Sequence, residues 1–334
     1  MVQKYQICQI ALLNPVLEVL ENNGVDSKKL VKKSTLRYFD LEQEQHYAPL
    51  EVVYDFFAKI KTHFPNGFLR PYDLAYFKLS NLGSFGRYLT KLPTLYSVLH
   101  QFVMYKSIFQ TNLNCNLSIY QDTVKFDFSY LDEPTTGRKI GENIFMAILL
   151  QLFRTYTNKN WVPDEIHIPY NNYGEIKSMV IGKKCRLITN QNTFAFVFPR
   201  EILRKATKIR IQFTNQSLPN VPAKSISDTI EEILKSYKSG YIPSLSNVAQ
   251  HFNVSESSIK RSLKSENTKF SKILEKILYQ KSIDLLTGSN LSITLISEFL
   301  GYSDSPNFIR SFKKWSSSTP GQFRDSYILT SIDN

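Results

Sequence analysis

Apolar positions follow two periods along this chain, and the places where the period changes divide it. Near the start, Leu12, Leu13, Val16, Leu17, Val19 and Leu20 predict an amphipathic helix over 11–21 that stops at Asn22-Asn23-Gly24. Ser27 is placed to cap a short helix carrying Lys28, Lys29, Lys32 and Lys33. Leu50, Val53, Tyr54, Phe57 and Ile60 keep helical spacing, and Thr94 is placed to cap a further helix with Leu95, Val98, Leu99, Phe102 and Val103 inward. The first 65 residues therefore read as helices. Alternation then takes over: Leu117 and Ile119, then Val124, Phe126, Phe128 and Tyr130, flank Gln121-Asp122 as a β-hairpin with one buried face. Residues 144–153 read as a mostly buried helix. Residues 165–168, 184–188 and 193–198 read as strands, with Asn190-Gln191-Asn192 turning between the last two.

Beyond a linker expected at 214–227, rich in Asn, Ser and Pro, the pattern is helical to the end. It also repeats. Leu245, Val248, Ala249, Phe252, Asn253, Val254 and Ser255 correspond, 48 residues later, to Ile293, Ile296, Ser297, Leu300, Gly301, Tyr302 and Ser303. Each copy is an apolar helix stripe, a residue tolerant of positive φ, and a serine able to cap a second helix. That is a helix-turn-helix, the unit that places its second helix in the major groove of DNA. Phe270, Ile273, Leu274, Ile277, Leu278, Ile283, Leu285 and Leu286 predict a largely buried helix over 269–286 between the copies, with Gly288 just past its end. Such a strut, roughly 27 Å long, suits two readers in successive major-groove segments about 34 Å apart.

The expected architecture is an α+β domain over 1–213, the linker at 214–227, and an all-α domain over 228–334 with two helix-turn-helix units joined by a long helix. In the first recognition helix Ile259 and Leu263 face inward, leaving Ser257, Ser258, Lys260, Arg261 and Lys264 for DNA. In the second, Phe308, Phe312 and Trp315 face inward, leaving Ser305, Asn307, Arg310, Lys313 and Lys314. Ser and Asn near the helix starts can reach base edges and Arg can pair with guanine, whereas lysines further along suit phosphates. Each Lys or Arg alone is also consistent with a solvated surface charge, and Arg310 with a bridge to an acidic neighbour. Thr319-Pro320 reads as the capped start of a last short helix.

The run Ile293, Ile296, Ser297, Leu300-Gly301-Tyr302-Ser303-Asp304-Ser305, Asn307-Phe308, Arg310, Phe312-Lys313-Lys314-Trp315, Thr319-Pro320, Phe323-Arg324 closely resembles the AraC/XylS family of bacterial transcription factors. It departs from the family pattern at Ser317, where Gly is typical, at Leu278, where Arg is frequent, and at Ser282, where Ala is common. The resemblance implies a sequence-specific regulator on double-stranded DNA in the bacterial cytoplasm, with RNA polymerase as a partner if it activates. More faintly, Leu17, Leu20, Gly24 and Val25, with Trp161-Val162-Pro163, Ile166 and Ile168, resemble the arabinose-binding-like sensing half of one branch. Relatives with that half bind small metabolites, among them arginine-type amino acids and fatty acids, which implies an effector and leaves a homodimer open.

Composition narrows the alternatives. With 334 residues, 42% hydrophobic and 21% charged, the chain fits two globular domains. No apolar run spans a membrane, the start does not read as a secretion signal, and Cys8, Cys115 and Cys185 are too few and scattered for a disulfide framework. The net charge of +12 favours a polyanionic partner in general. It does not locate the partner: residues 224–334 carry 14 basic and 11 acidic side chains, whereas 1–223 carry 27 and 18. The five histidines have no metal-ligand spacing, and no phosphate loop, nucleophile elbow or paired-carboxylate motif is present, so neither an enzyme nor a cofactor is expected. His251, inside the first repeat, reads as an exposed helix residue. For a carboxylate effector, Lys28, Lys29, Lys32 and Lys33 are the candidate anchors, with solvated lysines as the plainer reading. A first half that only dimerises or binds proteins, or an enzyme fused to a DNA-binding tail, are the remaining alternatives.

Overall fold

Strand alternation builds the centre of the N-terminal region. A computed structural model describes residues 5–65, 67–70, 72–172, 174–180, 184–206 and 225–332. The expected hairpin is formed by β3 (Leu113–Ile119) and β4 (Thr123–Tyr130), after a short antiparallel pair, β1 (Ile7–Gln9) and β2 (Tyr47–Pro49). With β5 (Glu165–His167), β6 (Arg186–Ile188) and β7 (Phe194–Pro199) the hairpin makes a five-stranded sheet ordered β3-β4-β7-β5-β6. All its neighbours are antiparallel except β5 and β6. Val124, Phe126 and Phe128 fall on the buried face opposite Phe198, Phe196 and Phe194, so one side of the sheet is paved with aromatic rings. Ile119, expected on that face, lies beside the hairpin's turn, opposite Val124, and is exposed.

The helices that cover the sheet were legible except where polar residues interrupt the stripe. Leu50–Ile60 appears as expected, and Thr94 caps Leu95–Tyr105 through a reciprocal capping box with Ser97. The reading of 11–21 resolves into a 3-10 turn, Ile10–Leu13, and a helix, Asn14–Asn22. Ser27 is not a cap: Asp26 accepts from Lys29 N at 2.8 Å, and Ser27 is the buried first residue of Ser27–Lys32. An aspartate one residue upstream competes for the same free N–H groups. The helix expected at 144–153 extends over Thr136–Tyr156, capped by Thr135. Its early turns escaped the apolar pattern because they bury charge. Arg138 Nε lies 3.0 Å from Glu142 Oε1, and Tyr170 Oη donates to Glu142 at 2.8 Å. Gly137 permits a close helix crossing, since a Cβ there would stand 1.9 Å from the carbonyl oxygen of Tyr54.

The chain divides into two compact units, a first of Met1–Arg37 with Leu41–Pro222 and a second of Tyr38–Asp40 with Ala223–Asn334. The linker expected at 214–227 lies mostly outside the described residues; its last part emerges as Ser225, which caps the helix Ile226–Lys235. Within the second unit Asp40 N donates to Ser236 O and Lys238 N to Tyr38 O, which holds Tyr38–Asp40 as a short extended strap. The remaining elements of this unit are the helices Leu245–His251, Glu256–Ser265, Phe270–Gly288, Ile293–Leu300, Ser305–Ser316 and Pro320–Ile332. The strut is less buried than its apolar count suggested. Only Ile273, Ile277, Ser282 and Leu286 are fully covered, because one helix shared by two small cores presents a single stripe to them. Gly288 is its last residue, one position earlier in role than expected.

Candidate nucleic-acid interface

The first reader is assembled by capping. Ser244 caps Leu245–His251 in a box with Asn247, and the four residues 252–255 make the turn. Asn253 adopts φ +52°. Ser255 then caps Glu256–Ser265, its hydroxyl accepting from Ser258 N at 3.2 Å. Ile259 and Leu263 are completely buried, which turns Ser257, Lys260, Arg261 and Lys264 outward and leaves Ser258 half-buried. Lys260 also reaches Glu256 at 3.1 Å. One expectation fails at the back of this unit. His251 is 4% exposed, hydrogen-bonded to Tyr237 and ringed by Tyr38, Phe39 and Tyr237. The strap that covers it comes from more than 200 residues away in the chain, beyond the reach of a local pattern.

The second reader has the same design with one added residue. Gly301 carries φ +87° after Ile293–Leu300, as its tolerance of that region predicts. The cap of Ser305–Ser316, however, is Asp304 and not Ser303: its Oδ1 accepts from Asn307 N at 2.7 Å, while Ser303 Oγ donates to Oδ2 at 2.9 Å. The Asn307 backbone N–H and then the Ser303 hydroxyl hold the Asp304 carboxyl below the usual range. Ser303 is thus an insertion, and beyond it the repeat offset is 49. Ile259 and Leu263 correspond to Phe308 and Phe312, all four completely buried. By the same offset Ser258, Arg261 and Lys264 correspond to Asn307, Arg310 and Lys313, one helical face on each reader.

Hydrogen bonds order that face in the second reader. Asn307 Nδ2 donates to Ser303 Oγ at 3.1 Å and to Asp304 Oδ2 at 2.6 Å, and its Oδ1 accepts from Arg310 Nη2. Arg310 is exposed and linked to a helix-start amide, so the bridge to an acidic neighbour considered for it runs through Asn307. Ser305 is half-buried, Lys313 exposed, and Lys314 reaches across to Glu275 on the strut at 3.2 Å. The Asp304 cap and this relay were missed in the sequence. The available signal was Asp-Ser-Pro-Asn: an acidic cap, proline in the first turn and a side-chain partner three residues on. Leu286, Ile296, Leu300, Phe308 and Phe312 form the core beneath. Thr319 caps the closing helix begun by Pro320, and Arg324 binds the carbonyls of Leu286 and Leu291 at 3.2 and 2.7 Å.

In the first unit Lys28, Lys29, Lys32 and Lys33 are all exposed on their short helix. They line neither of two cavities in that unit. One is an open cleft of about 640 Å³ edged by Lys61, Arg70, Lys139 and Glu175. The other is a small apolar cavity walled by the helices Leu50–Ile60 and Thr136–Tyr156 and the hairpin. Among the described residues no three His, Cys, Asp or Glu side chains converge as a metal site would need, and no helix is long and apolar enough to cross a membrane.

Residues 248–326 match a family model described as a helix-turn-helix domain. Over 111 residues the chain is 30% identical to the HTH-type transcriptional regulator VqsM of Pseudomonas aeruginosa, covering 33% of this chain and 34% of that protein. Over 76 residues it is 42% identical to the HTH-type transcriptional activator CfaD of Escherichia coli, covering 23% and 29%. The matched stretch thus spans about a third of the length of these relatives. Among solved structures, the transcriptional regulator CdpR from Pseudomonas aeruginosa aligns at 17% identity and a TM-score of 0.34, over 76% of this chain and 85% of that one.

Proposed function

The C-terminal domain belongs to the AraC/XylS family of double helix-turn-helix domains, and from that premise we propose that this protein is a sequence-specific regulator of transcription that reads duplex DNA with both recognition helices. The observation that carries the reading is the equivalence of Ser258, Arg261 and Lys264 with Asn307, Arg310 and Lys313. Two helices on one strut present a short polar residue near the start, an arginine one turn on and a lysine a further turn on. In a major groove the first two positions face base edges and the third faces the phosphates. Ser257, Lys260, Ser305 and Lys314 flank these faces and contribute contacts to the backbone. RNA polymerase is the partner if the protein activates.

The first unit serves as the sensor for a small molecule, with a homodimer as a compatible assembly. Its sheet-and-helix build, with an open cleft and a small apolar cavity, supports a ligand domain, and the effector acts by binding two states of the protein with different affinity. The deciding experiment is selection of the full-length protein from a random duplex library at near-physiological salt, with and without a cytosolic metabolite extract. An enriched motif with two contacted blocks about one helical turn apart, strengthened or weakened by the extract, is the expected result. Binding that is indifferent to sequence would overturn the reader. Binding indifferent to every extract would reduce the first unit to a dimerisation or protein-docking module.

A further inference from the structure

The open cleft of the first unit has a cationic lining. Lys61 follows the helix Leu50–Ile60, Arg70 comes from the segment after it, and Lys139 lies near the start of the helix Thr136–Tyr156. Lys139 and Asn143 are four apart, so they line the cleft from one helix face. The cleft offers about 640 Å³, several times the roughly 150 Å³ that holds a benzene molecule, so a metabolite of ten to twenty heavy atoms is of the right order of size.

These cations are not spent on neighbouring acids. Lys61 has no ion pair among the described residues, the carboxylate of Asp55 going to Lys59 at 2.5 Å. Lys139 Nζ stands 5.1 Å from the centre of the Tyr170 ring. Glu142, one turn along the same helix, is bonded to Arg138 and Tyr170 instead. Arg70 touches Asp73 only through Nε, at 3.3 Å, and packs its guanidinium 4.6 Å from the Tyr72 ring centre, which leaves both Nη groups for a ligand.

The acid on the cleft wall has a different task. Glu175 Oε2 accepts from Phe68 N at 3.0 Å and Leu69 N at 3.1 Å, which fastens the segment that presents Arg70. Gly67 makes this possible, with φ +113° and a position where a Cβ would stand 3.0 Å from Glu175 Cδ. Three cations against one carboxylate leave the wall at +2, and a concave surface of one sign concentrates its field on a ligand of the other.

We propose that this cleft binds a small organic polyanion, a di- or tricarboxylate or a phosphate ester, through Lys61, Arg70 and Lys139, with the Asn143 amide as an uncharged donor. The inference deepens the sensor reading, on which it rests, by naming the site and the ligand class. It also places the anion anchors on the cleft, away from Lys28, Lys29, Lys32 and Lys33. A neutral ligand would leave the three cations unanswered, whereas two or three negative charges match them with charge-assisted hydrogen bonds.

Titration calorimetry and thermal melts of the full-length protein with citrate, glucose 6-phosphate, glucose and sulfate, at matched ionic strength, test it. Citrate or glucose 6-phosphate should bind with saturation and raise Tm, and glucose should do neither. Multivalent anions also stabilise folded proteins by exclusion from their surface, so variants decide. Lys61→Gln/Lys139→Gln should weaken binding at least roughly tenfold, and Lys159→Gln/Lys205→Gln, which removes the same charge elsewhere on the unit, should leave it unchanged. Failure of both organic anions, an equal response to sulfate (an adventitious ion only), or equal losses in the two double variants overturns the site. Binding that leaves the affinity for the selected duplex unchanged would keep the site and refute the sensor reading, so the two can fail separately.

Discussion

Tyr237 Oη and His251 Nδ1 lie 2.6 Å apart in the interior of the second unit, with the rings of Tyr38 and Phe39 stacked around them. Burial pushes the phenol's ionisation far up and the imidazole's down to about 4. A neutral imidazole that accepts from Tyr237 at Nδ1 carries its proton on Nε2. The pair is packed in neutral form beneath the rings of the strap at 38–40, where a charged imidazole would be poorly solvated.

That arrangement predicts an acid-sensitive domain. The folded pKa of about 4 lies below the ordinary 6.5, so the unfolded chain takes up the proton first as the pH falls. Stability from this group is complete above about pH 6.5 and drains away down to about pH 4, by about 3 kcal/mol at most. Urea melts of wild type and His251→Gln at pH 7 and 4.5 check this, since glutamine retains an acceptor but does not titrate. The gap between the two proteins should narrow markedly at the lower pH. A constant gap would mean that His251 does not titrate on unfolding.

The left-handed residues at the ends of the second reader's helices make opposite predictions. Gly301 sits at φ +87°, and a Cβ there would stand 3.0 Å from both Gly240 C and Ile242 Cγ1. Gly301→Ala should cost about 1–3 kcal/mol through strain and crowding. Ser317 closes Ser305–Ser316 at φ +65°, a conformation that a serine adopts at a penalty. Ser317→Gly should raise stability by about 0.5–1 kcal/mol, and paired denaturant curves with unchanged m-values read both effects.

Ser297 stands where the first repeat has Ala249, and both are buried at the helix packing surface. The Ser297 hydroxyl has no partner among the described residues. Ser297→Ala removes that unsatisfied group without opening much space, so a gain of about 1 kcal/mol is expected. A loss in calorimetric melts would show that the hydroxyl is satisfied in solution.

How much of this was readable in the sequence follows from how local each feature is. The two helix-turn-helix units were legible because Ile259, Leu263, Phe308 and Phe312 keep one face over consecutive turns and Asn253 and Gly301 mark the bends. The hairpin at Gln121-Asp122 was equally local. What escaped depended on distant partners. The pairing of Ile7–Gln9 with Tyr47–Pro49, the covering of His251 by Tyr38 and Phe39, and the burial of Arg138 and Glu142 against Tyr170 all join residues far apart in sequence. The Ser303 insertion escaped for a different reason: a serine there satisfies the repeat, and only the competing Asp304 carboxylate reveals the shift.

The offset of 49 makes the sharpest prediction, because it assigns equal jobs to pairs of residues. On the proposed docking Arg261 and Arg310 meet base edges, so each alanine variant should lose about 1–3 kcal/mol of binding to the specific duplex and little to a scrambled one. Arg310 is oriented by Asn307, so Asn307→Ala should reproduce part of the Arg310→Ala loss. On the same docking Lys264 and Lys313 meet phosphates, so their alanine variants should weaken both duplexes alike and lower the salt slope by about 1 each. Fluorescence anisotropy at three salt concentrations separates the two behaviours. If Arg310→Ala weakened specific and scrambled DNA equally in a folded protein, its side chain would belong to the phosphate contacts, and the reading of bases would pass to the residues nearer the helix start.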